Sequence, residues 1–375
     1  MEQYKYLIVG GGMTAASAVK GIREKDKDGS IGIFSNDAHP PYDRPPLTKA
    51  LWKGDPEDGI WRETDGAQLH LGTTITNIDH QAKTATNENG NTYAWEKLLL
   101  ATGVSPRKLD FGPEGILYYR KFDDYKRLRQ MTEQGQRFFL IGGGFIGSEL
   151  AAALTLNGKQ AILAFPGAGI GSNIFPHDLS LFLNDYYREK GVEVLPETQV
   201  TSVEAQNGKY LVNGSIEVDG VIAGIGTVPN IELTAGLEVD NGIRVNANLQ
   251  TSHPDIYAAG DVASFHDPVL DEWRRVEHED NANTMGEAAG RAMAGDPTPY
   301  THSPFFYSDL FDLGYEAVGN LDSRLEIVSA WQVPFREGVV YYLKDSIVRG
   351  RLNWNVWDQV DDARAMIGSS MRLTY

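Results

Sequence analysis

Apolar residues along this chain come in short unbroken runs that end in glycine. The first, Tyr6 to Val9 in "MEQYKYLIVGGG", gives way to "MTAASAVKGI", whose small and apolar side chains suit a helix. The second, Phe138 to Ile141 in "RFFLIGGGFIGSELAAAL", continues in the same way. A short apolar run bounded by turn residues predicts a strand buried on both faces, so each segment reads as strand, glycine loop, helix.

Each unit is followed by a further apolar run closing on a glycine–proline turn: "LLLATGVSPR" (Leu98 to Arg107) and "VIAGIGTVPN" (Val221 to Asn230). Gly103 follows Gly12 by 91 residues and Gly226 follows Gly144 by 82, so one design is written twice. Another apolar strand, Ile256 to Ala259, delivers Gly260 and Asp261. The segment "RRVEHEDNANTMGEAAGRAMAG" then starts polar and becomes a helix with Ala282, Gly286 and Gly290 four residues apart, suited to close packing against a sheet or a cofactor. From about Thr301 the pattern shifts to short strands, "GYEAVGNL", "RLEIVSAW", "GVVYYLKD" and "IVRGRLNWN", with "DQVDDARAMI" as a closing helix. The predicted fold class is α/β: two Rossmann-like dinucleotide-binding domains, residues 1–110 with 231–300 and residues 111–230, plus a C-terminal α+β domain over 301–375.

The glycines also carry chemistry. Gly10, Gly12 and Ala15 form G-x-G-x-x-A, and Gly142, Gly144 and Gly147 form G-x-G-x-x-G. Glycine permits a tight turn and a close backbone approach, and the helix N-terminus behind it faces a pyrophosphate. One such motif is weak; two, each set between a strand and a helix, point to two bound nucleotides. Asp261, at a strand end, is suited to accept hydrogen bonds from ribitol hydroxyls, and the helix after it directs its positive dipole end at whatever ring it faces.

Composition narrows the chemistry. The 375 residues contain no apolar run of the roughly 18 residues a membrane span needs. The N-terminus enters a strand at once, leaving no room for a signal or transit peptide, so a cytoplasmic location is expected. The net charge of −17 argues against nucleic acid and anionic membrane surfaces as partners. An acidic protein partner would need a local basic patch. The segment "RKFDDYKRLR", with Arg120, Lys121, Lys126, Arg127 and Arg129, is read as a solvated helix face in preference to one. The chain has no cysteine, hence no disulfide, thiolate nucleophile, Cys-ligated zinc or iron–sulfur cluster, and no metal site is expected. Any redox chemistry runs through a bound cofactor.

Taken together, "PYDRPPLTK", "ATGVSPR", "IGGGFIGSELA", "RVNANLQTSHPDIYAAGDVA", "RRVEHEDNA" and "FFYSDLFDLGYEAVG" resemble the two-dinucleotide flavoprotein family over essentially the whole chain. The resemblance is to its cysteine-free branch, the bacterial ferredoxin and rubredoxin reductases and the apoptosis-inducing factors. It implies FAD in the first Rossmann-like domain and NADH or NADPH in the second. Hydride would pass to flavin N5 and electrons onward to a carrier such as ferredoxin or rubredoxin; a homodimer is left open. In the alternative reading, the protein is a redox-sensing interaction protein like the apoptosis-inducing factors, whose NAD(P)H-reduced flavin controls conformation or assembly.

Carried over residue by residue, the resemblance assigns the FAD pyrophosphate to Gly10, Gly11, Gly12, Met13, Thr14 and Ala15. Asn36 and Asp37 fall near the adenosine ribose. Arg44, Lys49, Ile75, Arg107, Gly260, Asp261, His278, Glu279 and Tyr307 fall on further FAD contacts, Tyr307 where relatives have a tryptophan. Gly142, Gly143, Gly144, Phe145, Ile146, Gly147, Gly226, Glu277 and Glu316 match contacts of the nicotinamide cofactor. Lys49, Glu149 and His278 are the expected catalytic residues. A buried lysine needs a partner such as Glu149, although a pair that merely anchors a loop to a helix stays open. Gly167 stands where NADH-specific relatives present an acid, with no arginine nearby to replace it, so the preference between NADH and NADPH is open. The proline-rich run "HPPYDRPPLTKALW" is expected to be a site segment bringing Arg44 and Lys49 to the flavin, not a spacer.

Overall fold

The computed structural model describes residues 1–371; positions 372–375, the end of the expected C-terminal domain, lie outside the described residues. The chain forms two compact units. One gathers residues 1–44, 57–105 and 228–304; the other gathers 45–56, 106–227 and the chain from Phe305 onward.

In the first unit the apolar run after the N-terminus is the strand Glu2–Val9, and Gly10 to Gly12 turn it into the helix Met13–Lys25. The strand lies between Ile31–Phe34 and Thr92–Leu100, paired parallel to both, with Gln68–His70 beyond Ile31–Phe34. Ile256–Ala258 pairs parallel with the end of Thr92–Leu100, and two antiparallel strands, Thr84–Asn87 and Ile75–Asp79, complete the sheet. Leu7, Ile8, Leu98, Leu99 and Ile256 are fully buried, as expected for strands covered on both faces. At Gly286 and Gly290 the small-residue stripe of the helix Glu279–Met293 meets another helix, Met13–Lys25, and not a sheet. A Cβ on Gly286 would come 2.5 Å from the Thr14 carbonyl oxygen, and one on Gly290 2.1 Å from that of Ala18.

The second unit repeats the parallel core. Its strands run Glu193–Leu195, Gln160–Ala164, Arg137–Ile141, Gly220–Ala223, and the helix Phe145–Leu156 follows the second glycine loop. Numbered by chain order within each module, both cores read 3-2-1-4, so the duplication in the sequence is a duplication of topology. The helix Phe122–Gln134, which covers most of "RKFDDYKRLR", buries Phe122, Tyr125 and Leu128 and leaves Lys126 and Arg127 exposed. The aromatic C-terminal segment is a five-stranded antiparallel sheet: Phe305–Leu310, Leu313–Gly319, Ile347–Trp354, Glu337–Lys344, Glu326–Val333. The helix Val360–Met366 packs on it.

The proline run straddles the passage from one unit to the other, Arg44 closing a segment of the first and Pro45 opening one of the second. Residues from Pro45 on are not a loose tether. Pro45–Thr48 is a 3-10 turn, Ala50–Lys53 a short helix, and Trp52 is buried. The Trp52 indole N–H donates to the Leu47 carbonyl at 2.9 Å, and Asn157 Nδ2 donates to the Trp52 carbonyl at 3.0 Å.

Candidate functional site: two glycine loops and a buried carboxylate

The two loops share one construction. Gly10 and Gly142 have φ of +117° and +112°, and a Cβ on either would strike a carbonyl oxygen, Ala101 at 2.1 Å or Gly224 at 2.3 Å. A side chain is therefore excluded by strain and by space. At Gly147 a Cβ would come 1.8 Å from the Gly142 carbonyl oxygen; the first loop has Ala15 at that step, fully buried. The middle glycines differ. Gly12 and Gly144 are helix N-caps with no side-chain cap and no acid in the first turn. A Cβ on Gly144 would meet nothing within 4 Å, and one on Gly12 only Arg44 Nη2 at 3.8 Å. Each loop thus presents an open, uncapped helix N-terminus with partial positive charge, the arrangement a pyrophosphate requires.

Of the further expected residues of the first unit, Gly260 meets its loop directly. Gly260, at φ +76°, lies so close to Thr14 that a Cβ there would sit 2.2 Å from Oγ1. Its N–H points to Met285 Sδ at 3.2 Å. Asp261 follows, its carbonyl held by Arg275 at 2.9 Å. His278 caps the helix Glu279–Met293; burial and the neighbouring Arg274 push its imidazole down to about 4, against the opposing charges of Asp261 and Asp280. Arg62 Nη2 stands 3.7 Å from Glu279, and Arg275 pairs with Glu277 at 2.6 Å. Of the expected ribose pair, Asn36 is exposed while Asp37 is buried, one oxygen accepting from the His39 N–H at 3.2 Å and the other from the Tyr42 hydroxyl at 3.0 Å. Met13 and Ile75 are buried apolar residues.

In the second unit Gly143 packs on the Phe165 ring, and Gly226, at φ +97°, accepts the Arg107 N–H at 2.9 Å with open space where a Cβ would be. A cleft of about 270 Å³ opens beside the loop, lined among others by Gly144, Phe145, Ser148, Gly167, Ser172 and Tyr315, and by no charged residue. Ile146 follows at the start of the helix. Glu316 keeps one carboxylate oxygen buried without a partner among the described residues, and so does Asn353, its cross-strand neighbour, for Nδ2. Burial pushes the Glu316 carboxyl up. A buried acceptor and donor left unpaired side by side are what a bound polar group would satisfy.

Lys49 and Glu149 do meet. Glu149 is buried on the helix Phe145–Leu156, and its Oε2 accepts from Lys49 Nζ at 2.7 Å and from Thr48 Oγ1 at 2.5 Å. Its Oε1 accepts from Ser308 Oγ at 2.6 Å. Ser308 also hydrogen-bonds Tyr315, whose hydroxyl burial and the Glu149 charge push well up. Lys49 Nζ lies 5.4 Å from the Tyr307 ring centroid. Three donors on one buried carboxylate offset most of its desolvation. Thr48, Ser308 and Tyr315 were not singled out from the sequence. Their only signals were adjacency to Lys49 and the two-residue alternation of "FFYSDLFDLGYEAVG".

These features define a protein built to hold two dinucleotides. Residues 4–286 match the pyridine nucleotide-disulphide oxidoreductase family, and the chain belongs to that family. It is an FAD-dependent NAD(P)H oxidoreductase. Residues 289–334 match the C-terminal, mitochondrion-associated segment of apoptosis-inducing factor. The chain is 34% identical to apoptosis-inducing factor 1 of Dictyostelium discoideum, over 98% of this chain and 79% of that one. It is 31% identical to a monodehydroascorbate reductase of Solanum lycopersicum, over 85% and 83%. The crystal structure of a ferredoxin reductase from Rhodopseudomonas palustris superposes with a TM-score of 0.88 at 26% identity, covering 97% and 94%.

Proposed function

We propose that the enzyme is a reductase that passes electrons from NAD(P)H to a one-electron carrier protein of the ferredoxin or rubredoxin type. The observation that carries this reading is the pairing of two open, uncapped glycine loops with a chain that has no cysteine. Electrons cannot leave through a thiol relay, so they leave from the flavin edge to an outside acceptor. The similarity to a ferredoxin reductase supports a carrier protein as that acceptor. FAD, when bound, supplies the step from a two-electron donor to one-electron transfers.

The chain's own residues bind, orient and hold charge. In this proposal Gly10 to Ala15, Arg44, Gly260 and Asp261 hold FAD, with Asn36 and Asp37 set to meet the adenosine ribose, Asp37 anchored by the His39 N–H and the Tyr42 hydroxyl. His278, neutral at physiological pH, presents the N-terminus of its helix to developing negative charge. Gly142 to Gly147 and Gly226 hold the nicotinamide dinucleotide, and Glu316 offers its unpaired oxygen to that ligand. Glu149, held by Thr48 and Ser308, fixes the position of the Lys49 ammonium. The three-domain division, FAD-binding residues 1–110 with 231–300, NAD(P)H-binding 111–230 and C-terminal 301–375, and a cytoplasmic location belong to the same proposal.

A second reading, a redox-sensing interaction protein, is favoured by the match of residues 289–334 and by the Dictyostelium relative. Anaerobic reduction by NADH or NADPH followed by addition of ferredoxin, rubredoxin, monodehydroascorbate or quinone separates them. Fast flavin reoxidation by a carrier protein supports the reductase, and reoxidation by monodehydroascorbate alone reassigns the acceptor. A reduced complex that persists with altered sedimentation transfers the weight to the sensor.

A further inference from the structure

The cleft beside the second glycine loop lacks the charge that would normally tell NADH from NADPH. The strand Gln160–Ala164 ends in Phe165, Pro166 and Gly167, and Gly167 offers no carboxylate to a ribose 2′-hydroxyl and no cation to a 2′-phosphate. Among the described residues, none that lines the cleft is charged.

The neighbouring parallel strand, Glu193–Leu195, leads into a segment that runs beside Gly167. Pairing between the two continues past their formal ends, with Phe165 N donating to the Leu195 carbonyl at 3.2 Å and Thr198 N to the Phe165 carbonyl at 2.9 Å. Glu197 N then donates to the Gly167 carbonyl at 2.9 Å. Glu197 is exposed and sits in the left-handed region at φ +52°, an uncommon conformation for a glutamate. Its backbone is thereby fixed beside Gly167, a lining residue of the cleft.

We propose that Glu197, held at the backbone beside Gly167 by the loop after the next strand, is the specificity-determining acid of the nicotinamide site, and that it makes the enzyme prefer NADH. Its carboxylate accepts from the 2′-hydroxyl of NADH and repels the 2′-phosphate of NADPH, with no basic lining residue to offset the repulsion. The inference rests on the reading of this cleft as the NAD(P)H site.

The test is equilibrium binding of NAD⁺ and NADP⁺ to the purified flavoprotein by titration calorimetry, in wild type, Glu197→Gln and Glu193→Gln. A hydrogen bond to a charged group corresponds to roughly tenfold or more in affinity, so wild type is expected to bind NAD⁺ at least about tenfold more tightly than NADP⁺. Glu197→Gln should bring that ratio close to one. Glu193→Gln, which removes an exposed acid at the start of the strand Glu193–Leu195, paired with Arg137, should leave it unchanged. Equal affinities in wild type, a preference for NADP⁺, or a ratio unmoved by Glu197→Gln overturns the role of Glu197. Absence of binding by either nucleotide overturns the reading of the cleft itself.

Discussion

Replacing Lys49 with alanine should cost far more than replacing Lys53, four residues along the same segment. Lys49 Nζ sits 2.7 Å from Glu149, with side-chain exposures of 11% and 5%; Lys53 pairs with Asp309 at 2.9 Å but is 56% exposed. At an effective dielectric of about 20 the Lys49–Glu149 attraction is roughly 6 kcal/mol, largely offset by the desolvation of both groups. Removing one partner leaves the other charge buried, which costs about 3–5 kcal/mol in proteins. Thr48 and Ser308 still donate to Glu149 after the change, so we place Lys49→Ala near 3 kcal/mol. The exposed Lys53 pair is worth up to about 1 kcal/mol. Urea unfolding of both variants measures the difference, and the double variant Lys49→Met/Glu149→Gln should recover much of the Lys49 loss, because no unpaired charge stays buried. Lys49→Ala and Lys53→Ala falling within about 0.5 kcal/mol of each other would refute the argument.

Gly144→Ala, which meets no atom within 4 Å, should fold normally and weaken NAD(P)H binding by blocking the open backbone, whereas Gly147→Ala, whose Cβ falls 1.8 Å from a carbonyl oxygen, should destabilise the second module; thermal melts with and without nucleotide distinguish the two. His278 has a folded pKa of about 4 against an ordinary value near 6.5, so between those values the unfolded chain binds more protons. Stability should therefore rise with pH across that window and be lost as pH falls through it, and His278→Gln should flatten urea midpoints measured between pH 4 and 6.5. Ser308→Ala should lower stability by about 1–2 kcal/mol by removing one donor from buried Glu149, with Ser308→Thr closer to wild type.

Much of the fold was legible because it rests on local rules. A buried parallel strand followed by glycine and a helix is a sequence-local object, and writing it twice made the two modules readable before their strands were seen to share one order. Lys49 and Glu149 were legible only through resemblance, since a contact across a hundred residues leaves no periodic trace. Thr48 and Ser308 were missed for the same reason: each is an ordinary small polar residue until Glu149 arrives between them. That Gly286 and Gly290 pack on the helix Met13–Lys25 was not legible, because small residues license close approach without saying to what. Glu197 was invisible because its place beside Gly167 depends on strand pairing and on one left-handed residue. Asp37 is held in place by the His39 N–H and the Tyr42 hydroxyl, an anchoring within its own loop that spacing alone does not reveal.

The central claim, that this chain carries electrons from NAD(P)H through FAD to a protein acceptor, is tested most directly by a single anaerobic stopped-flow experiment. NADH mixed with the purified yellow protein should bleach the flavin absorbance, and ferredoxin or rubredoxin added next should restore it within the mixing sequence. A protein that carries no flavin, or a bleached flavin that no carrier reoxidises, would contradict the account.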